Sequence, residues 1–295
     1  MPFLEKRLRT NSAESGFWLG SLKEHTVLPI CANTACSNGW IKLWRNRRVP
    51  IFEDAWTCSA ECMTAIVEAR VRRELEGRSN APSGHRHRVP VGLVLLEQGW
   101  ITQKQLKNAL QAQRKAESGR IGMWLMREGL EEHLLTRALS LQWNCPVFSL
   151  EDYRPESMAA LVPRLFVDNF AILPLRVAGS SLFYIAFEDR IDRCATFAIE
   201  RMTGLVVEAG LVDGSEFRRT HERMLAARFP KATILETESV HGLVLALISA
   251  LERLKPVKAK LVRIHDFFWL RMWHSADESS LDAIEDVLCS LTQLQ

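Results

Sequence analysis

The sequence predicts a multidomain α+β protein, and three observations predict it. Four of the seven cysteines fall in a short front segment as two spaced pairs. The stretch from Gly92 to Gln142 carries apolar residues at three- and four-residue spacing and repeats itself. After Cys145 the apolar residues gather into short runs separated by amphipathic or charged stretches, which is the pattern of strands alternating with helices. With 47% apolar and 25% charged residues over 295 positions, the composition is that of a folded chain of two or three domains. The expected parts are a treble-clef-like cysteine knuckle over residues 1–78, a linker over 79–90, and a duplicated helical module over 91–150. A small α+β subdomain over 151–230 and a helix-strand-helix tail over 231–295 complete the chain.

In the front segment, Cys31-x4-Cys36 and Cys58-x3-Cys62 flank 21 residues. These hold two apolar strand-like runs, Trp40 to Trp44 and Val49 to Phe52, around a basic turn from Arg45 to Arg48. A hairpin there brings the two pairs together, and four thiolates satisfy tetrahedral zinc. The second pair opens an amphipathic helix, Ser59 to Leu75, whose free amino-terminal N–H groups favour thiolate charge. The expectation is a structural Zn2+ on Cys31, Cys36, Cys58 and Cys62; the alternative is two buried cysteine pairs without metal. Such a closed shell leaves no position open for catalysis, and its metal contributes folding energy. Cys145, Cys194 and Cys289 lie singly in apolar surroundings and are expected to fill the core.

The net charge of +3 is too small to argue for nucleic acid by itself. Its distribution is uneven, with a surplus of five cations over the first 90 residues and a deficit of two over the rest. Trp40, Lys42, Trp44, Arg45, Arg47 and Arg48, joined by Arg70, Arg72 and Arg73, could form a nucleic-acid face on the knuckle or a solvated basic face on a scaffold. The first twenty residues lack the apolar core of a signal peptide, and no apolar run reaches the length of a membrane span, so a cytoplasmic location is expected.

Arg78 to Pro90 has turn formers, two prolines and no apolar period, which marks a linker. Its His85 and His87 are expected to be solvated. Beyond it, VGLVLLEQGWITQKQLKNALQAQ from Val91 aligns with IGMWLMREGLEEHLLTRALSLQ from Ile121. Both glycines recur after thirty residues, whereas Gln113 and Gln142 are twenty-nine apart, so the second copy has lost one residue. Each copy is expected to form a short helix, a glycine stop and a longer helix. Strands are expected around AILPLRV at Ala171, SLFYIAFE at Ser181 and GLVVEAGLV at Gly204, with a turn at Gly179-Ser180. Helices are expected over Ile191–Thr203 and Ser215–Arg228. The tail should hold a helix over Ser239–Leu254, a strand or hairpin from Ala259 to Trp273, and a final helix over Ser279–Leu294. Trp269 and Trp273 either pack on the preceding domain or form an exposed contact patch.

No G-x4-G-K-[ST] phosphate loop, G-x-S-x-G elbow, H-E-x-x-H helix or G-x-G-x-x-G turn after a strand occurs in these 295 residues. His265 beside Asp266, and His241 near Glu238, are pairs that arise by chance in many chains. The expectation is a binding protein and not an enzyme.

The segment from Val89 to about Arg228 resembles the amino-terminal domain of the assembly ATPases of type II secretion (general secretory pathway protein E) and type IV pilus systems. The resemblance rests on the repeated glycine-leucine-glycine-leucine-glutamine pattern, the join QWNCPVFSLEDY, and FAILPLRV, LFYIAFED and TGLVVEAGLV in order. It implies protein partners on a secretion or pilus platform and, in a chain without the motor's phosphate loop, a regulatory or adaptor role. Some members bind cyclic di-GMP through two copies of R-L-G-x-x-L-x-x-x-G. The resemblance then implies an arginine meeting a guanine edge or phosphate, a glycine admitting the backbone, and leucines packing the bases. The second copy keeps Arg120, Ile121, Gly122, Leu125, Met126, Gly129 and Gln142. The first keeps Val91, Gly92, Leu95, Leu96, Gly99 and Gln113 but has Pro90 in the arginine's place, with Arg88 two residues away. A lost charge-assisted contact costs about 1.5–3 kcal/mol, roughly one to two decades of affinity. Three readings stand: a non-catalytic adaptor or regulator that binds cyclic di-GMP; an adaptor whose motifs serve only helix packing; and a zinc-knuckle regulator that binds nucleic acid.

Overall fold

The computed structural model describes residues 31–37, 52–77, 88–150, 153–154, 157–275 and 280–292. Trp40, Lys42, Trp44, the basic turn Arg45–Arg48 and the linker histidines His85 and His87 lie outside these. Helix α1 (Ala60–Glu76) begins where the Ser59 hydroxyl accepts a hydrogen bond from the Cys62 amide, and it buries Met63, Val67 and Val71 at helical spacing.

The repeat folds as four helices, α2 (Val91–Glu97), α3 (Gln103–Ala116), α4 (Ile121–Arg127) and α5 (Glu132–Trp143). Gly99 and Gly129 end the two short helices with φ of +70° and +95°, conformations a side chain would strain. A capping box between Thr102 and Gln105 starts α3. The module's core is built from matched positions of the two copies: Leu95 with Leu125, Ile101 with Leu130, and Ala109 with Ala138. The offset changes between the first pair and the others, so the residue missing from the second copy is the counterpart of Trp100 or its neighbour. α2 packs against α5 and α3 against α4, so neither copy can bury its apolar face alone.

The next unit contains α6 (Arg164–Asn169), β1 (Leu173–Ala178), β2 (Leu182–Phe187), α7 (Arg193–Thr203), β3 (Val206–Leu211) and α8 (Gly214–Leu225). Its sheet runs β1-β2-β3, antiparallel then parallel, and residues 179–180 form the turn between β1 and β2. Pro146–Phe148 lies along the outer edge of β3, where the Phe148 amide donates to the Leu211 carbonyl at 2.8 Å. Only glycine fits at 210, because a Cβ there would stand 2.7 Å from the Pro146 carbonyl oxygen and 2.5 Å from the Phe148 ring.

The last unit corrects the expected tail. It comprises β4 (Lys231–Thr237), α9 (Val240–Leu254), β5 (Lys258–Ile264), β6 (Phe267–Trp273) and β7 (Ile284–Leu291), in a sheet ordered β4-β7-β6-β5. The expected helix over 279–294 is therefore not found across its described residues, 280–292: a 3-10 turn, Leu281–Ala283, leads into a strand. Apolar residues at 281, 284, 287, 288 and 291 fit a helical period. They also fit a central strand, because β7 is buried on both faces between β4 and β6. Trp269 and Trp273 pack in the core shared with the preceding unit, together with Val262, Ile264 and Leu288. The opposite face, including Leu261, Phe268, Leu270, Val287 and Cys289, packs on α9 and on α1.

The front helix is thus part of the same core as the C-terminal sheet, with the linker and two further units between them in sequence. α1 and the turn before it also close the outer edge of β5. The Glu53 carboxylate accepts from the Leu261 amide at 2.8 Å, the Glu74 carboxylate accepts from the Arg263 amide at 3.1 Å, and the Arg70 guanidinium donates to the Leu261 carbonyl. Arg201 of α7 grips Glu74 through both oxygens, at 2.9 and 2.5 Å. Burial pushes the Glu74 carboxyl up, but Arg201, the Arg263 amide and Arg70 outweigh it and leave it below its ordinary value. A depressed folded-state value stabilises the protein above the ordinary value of 4.5 and loses that contribution as the pH falls below it. Glu74→Gln is expected to lower stability by about 2 kcal/mol at pH 7. In urea unfolding, the gap between variant and parent should narrow as the pH is taken below 4.5; a gap independent of pH would contradict the assignment.

Candidate binding cleft and metal centre

The four front cysteines converge. The Sγ atoms of Cys31, Cys36, Cys58 and Cys62 all lie within 4.8 Å of one another. Cys36 and Cys58 are 3.4 Å apart and Cys58 and Cys62 3.7 Å, too far for a disulfide. Ligands at about 2.3 Å from a tetrahedral metal stand roughly 3.8 Å from each other, so the spread of these atoms fits a single ion. A turn at Asn33–Cys36, closed by a 2.9 Å backbone bond, presents the first pair, and the amino terminus of α1 presents the second. Burial raises the Cys62 thiol, yet hydrogen bonds involving Asn33, Ser59, Cys36 and Cys58 bring it down to about 7. Of the isolated cysteines, Cys289 is buried and its thiol is raised to about 12. Cys145 is half-buried and raised to about 11 by burial and the Glu208 charge. Cys194 is exposed, contrary to the core position expected of it: it is the second residue of α7, which turns Ala195, Ala198 and Ile199 inward instead.

A cleft of about 750 Å³ opens beside the repeat, between α4, α5 and the loops of the α+β unit. Val91, Arg120, Ile121, Gly122, Met126 and Gln142 line it, as do Glu132, Glu188, Asp189, Arg190 and Arg218. Six of the thirteen motif positions therefore meet at one surface. The others do different work. Leu95 and Leu125 are fully buried in the module core and offer no face to a ligand, and Gly99 and Gly129 end helices. Leu96 packs against the core and Gly92 is buried. The recurring second-position glycines are packing positions: a Cβ on Gly92 would stand 2.8 Å from Leu106, and one on Gly122 2.7 Å from Leu135.

The two glutamines act across the repeat. Gln113 donates to the Gly119 carbonyl at 2.8 Å and Gln142 to the Val89 carbonyl at 2.6 Å, each fixing the residue that precedes the start of the other copy's short helix. At those starts stand Arg120 and Pro90, the N-caps of α4 and α2. Arg120 is exposed and forms an ion pair with Asp189. Glu132, at the start of α5, accepts from the Ser215 amide at 3.0 Å and from the Ser215 hydroxyl, while Arg218 bridges Glu132 and Glu188. The acidic members Glu132, Glu188 and Asp189 were not expected from sequence: Glu132 lies in the second repeat and the adjacent Glu188 and Asp189 close the run LFYIAFED, two segments that only the fold brings together.

No family model matches the chain. It is 30% identical over 142 residues to the type IV pilus assembly ATPase PilB of Myxococcus xanthus, which covers 48% of this chain and 25% of PilB. About half of this chain is thus similar in sequence to a segment of a type IV pilus assembly ATPase. Bacteriophage adsorption protein B of Escherichia coli K12 is 32% identical over 125 residues, covering 42% of this chain and 16% of that protein. Solved structures with similarity include MshE with cdg, at 24% identity and a TM-score of 0.39, covering 46% of this chain and 99% of that one. The N-terminal domain of XpsE follows at 20% identity and a TM-score of 0.34, covering 45% of this chain and 92% of that one. The shared segment is thus at most a quarter of the curated relatives' length. Among the described residues, no helix is long and apolar enough to cross a membrane.

Glu132 joins the helical module to the α+β unit by accepting from Ser215 at the start of α8, and removing it should loosen that junction. Glu132→Ala is expected to speed exchange of the Ser215 amide proton by about tenfold, the loss of one charge-assisted bond. Unchanged protection at Ser215 would show that the cap contributes nothing.

Proposed function

We propose that the protein is a non-catalytic adaptor or regulator of a type II secretion or type IV pilus-like system, and that its duplicated module binds cyclic di-GMP. The observation that carries this reading is the cleft itself, which gathers Arg120, Ile121, Gly122, Met126 and Gln142 of one motif with Val91 of the other. Its guanidinium groups suit phosphodiester or guanine oxygens, and its apolar floor suits a base. The carboxylates there are engaged, with Asp189 on Arg120 and Glu132 and Glu188 on Arg218, which supports binding over acid-base chemistry. The PilB similarity supports the choice of system.

The same reading gives Cys31, Cys36, Cys58 and Cys62 a structural zinc, on the convergence of their sulfurs and the position of Cys58 and Cys62 at the start of the helix that seals the C-terminal sheet. The zinc supplies folding energy when bound; the chain's own residues place the thiols and bury two of them. Purified protein should contain about one zinc per chain by elemental analysis. Chelation should lower its melting temperature, and a metal-free protein of equal stability would remove this assignment.

Calorimetric titration of cyclic di-GMP tests the ligand. Binding at micromolar or tighter concentration, lost in Arg120→Ala, is expected; no heat up to about 100 µM, roughly −5.5 kcal/mol, would leave the motifs as packing elements.

A further inference from the structure

The copy that lacks the motif arginine has a cationic surface of its own. Arg88, two residues before Pro90, lays its guanidinium over the Trp143 ring at 3.2 Å from the centroid. The contact places the cation over the ring and fixes its position, and no hydrogen bond from the guanidinium to a described residue is seen. Around it a second cleft of about 650 Å³ is lined by Arg88, Arg193, Gln98, Gln142, Trp143 and Asn144, with Glu97 as its acidic member. Gln142 and Trp143 also line the first cleft, so the two openings share a wall.

Arg190 of the first cleft and Arg193 of the second both act on Arg88. Its guanidinium is held below its ordinary value by burial and by repulsion from Arg193 and Arg190. None of the three forms an ion pair with a described carboxylate, whereas Arg120 and Arg218 in the first cleft do. Asp192, next in sequence to Arg193, is turned away to His265, which it meets at 2.6 Å, and to the Ala195 amide. Three cations that are not ion-paired among the described residues, with Glu97 the one carboxylate of the cleft lining, lose mutual repulsion when an anion arrives, which favours an anion at this surface.

The position relative to the repeat is fixed as well. Gln142 holds the Val89 carbonyl just as Gln113 holds the Gly119 carbonyl, so the residue before Pro90 and the residue before Arg120 are anchored in the same way. In the second copy the cation leaves this anchor at residue 120. In the first copy it leaves on the other side of the anchor, at residue 88, and reaches the shared wall from there.

We propose that Arg88, held on Trp143 and backed by Arg190 and Arg193, replaces the arginine absent at Pro90 and binds a phosphodiester oxygen of the cyclic dinucleotide. This rests on the dinucleotide reading above. The test is calorimetry with cyclic di-GMP on the full zinc-loaded chain, comparing the parent, Arg120→Ala, Arg88→Ala, and Arg88→Ala combined with Pro90→Arg, with melting temperatures to confirm folding. Arg88→Ala is expected to weaken binding about 10- to 100-fold, and Pro90→Arg in that background to restore it. Rescue by a cation at the motif position is not expected of a residue that merely packs on Trp143. If the parent binds, Arg120→Ala fails and Arg88→Ala binds as tightly as the parent, the role of Arg88 is overturned and the dinucleotide reading stands. A parent that does not bind overturns both.

Discussion

The constraint on which the rest of the structure depends is that the C-terminal sheet is buried on both faces. One face holds Val262, Ile264, Trp269 and Leu288 against the α+β unit, and the other holds Leu261, Phe268, Leu270 and Val287 against α1 and α9. Such a sheet cannot exist as a free-standing tail, because either exposed face would be a large apolar surface. Its most deeply buried carboxylate is matched accordingly. Asp286 on β7 is fully buried but accepts from Arg271 at 2.8 Å and from the Trp269 indole at 2.7 Å, while Arg271 also donates to the Ala160 and Leu161 carbonyls. That cluster ties the sheet to the turn before α6. At the edge of β5 the Glu53, Arg70 and Glu74 side chains do what a neighbouring strand would do, and Arg201 carries the contact on to α7.

A consequence is that the cysteine cluster is not remote from the rest of the chain. Cys58 and Cys62 set the start of α1, and the far end of the same helix delivers Glu74 to the junction of β5 and α7. The helix is continuous over its 17 residues, and helix formation is cooperative, so fraying at its amino terminus would weaken the turns that carry Glu74. A metal at the thiols therefore acts on the stability of a core whose strands lie some two hundred residues later in sequence.

Local order was legible in the sequence, and the partners of each element were not. The repeat gave its helices, glycine stops and missing residue because two copies report the same fold twice. The cysteine spacing brought four sulfurs together because a knuckle is a short-range device. The error at residues 279–294 has a physical origin: a central strand buried on both faces has no period-two alternation, and Ile284, Val287, Leu288 and Leu291 mimic a helical stripe. β4 was missed because KATILET, an edge strand, lacks a strong apolar signal. The motif leucines Leu95 and Leu125 show a related ambiguity: apolar spacing within a helix is the same whether the side chain faces a ligand or a core. Glu132, Glu188 and Asp189 lie within the second repeat and the run LFYIAFED, but nothing in the sequence says that they share a cleft, since only the fold brings them together.

The cleft's electrostatics also bear on how a ligand would act. Arg120 belongs to the helical module, and its partner Asp189 belongs to the loop after β2 in the other unit. Arg218 of α8 likewise reaches across to Glu132 of α5. An anion that takes the Arg120 donors competes with Asp189, so it exchanges an ion pair between two units for one between protein and ligand. Exposed pairs of this kind contribute little on their own, so the exchange is cheap. What changes is the connection, because the module and the α+β unit would then be held together by the ligand and by the Glu132 cap on α8 in place of their direct charge contact. On the cyclic dinucleotide proposal, occupancy would thereby alter the surface between the two units.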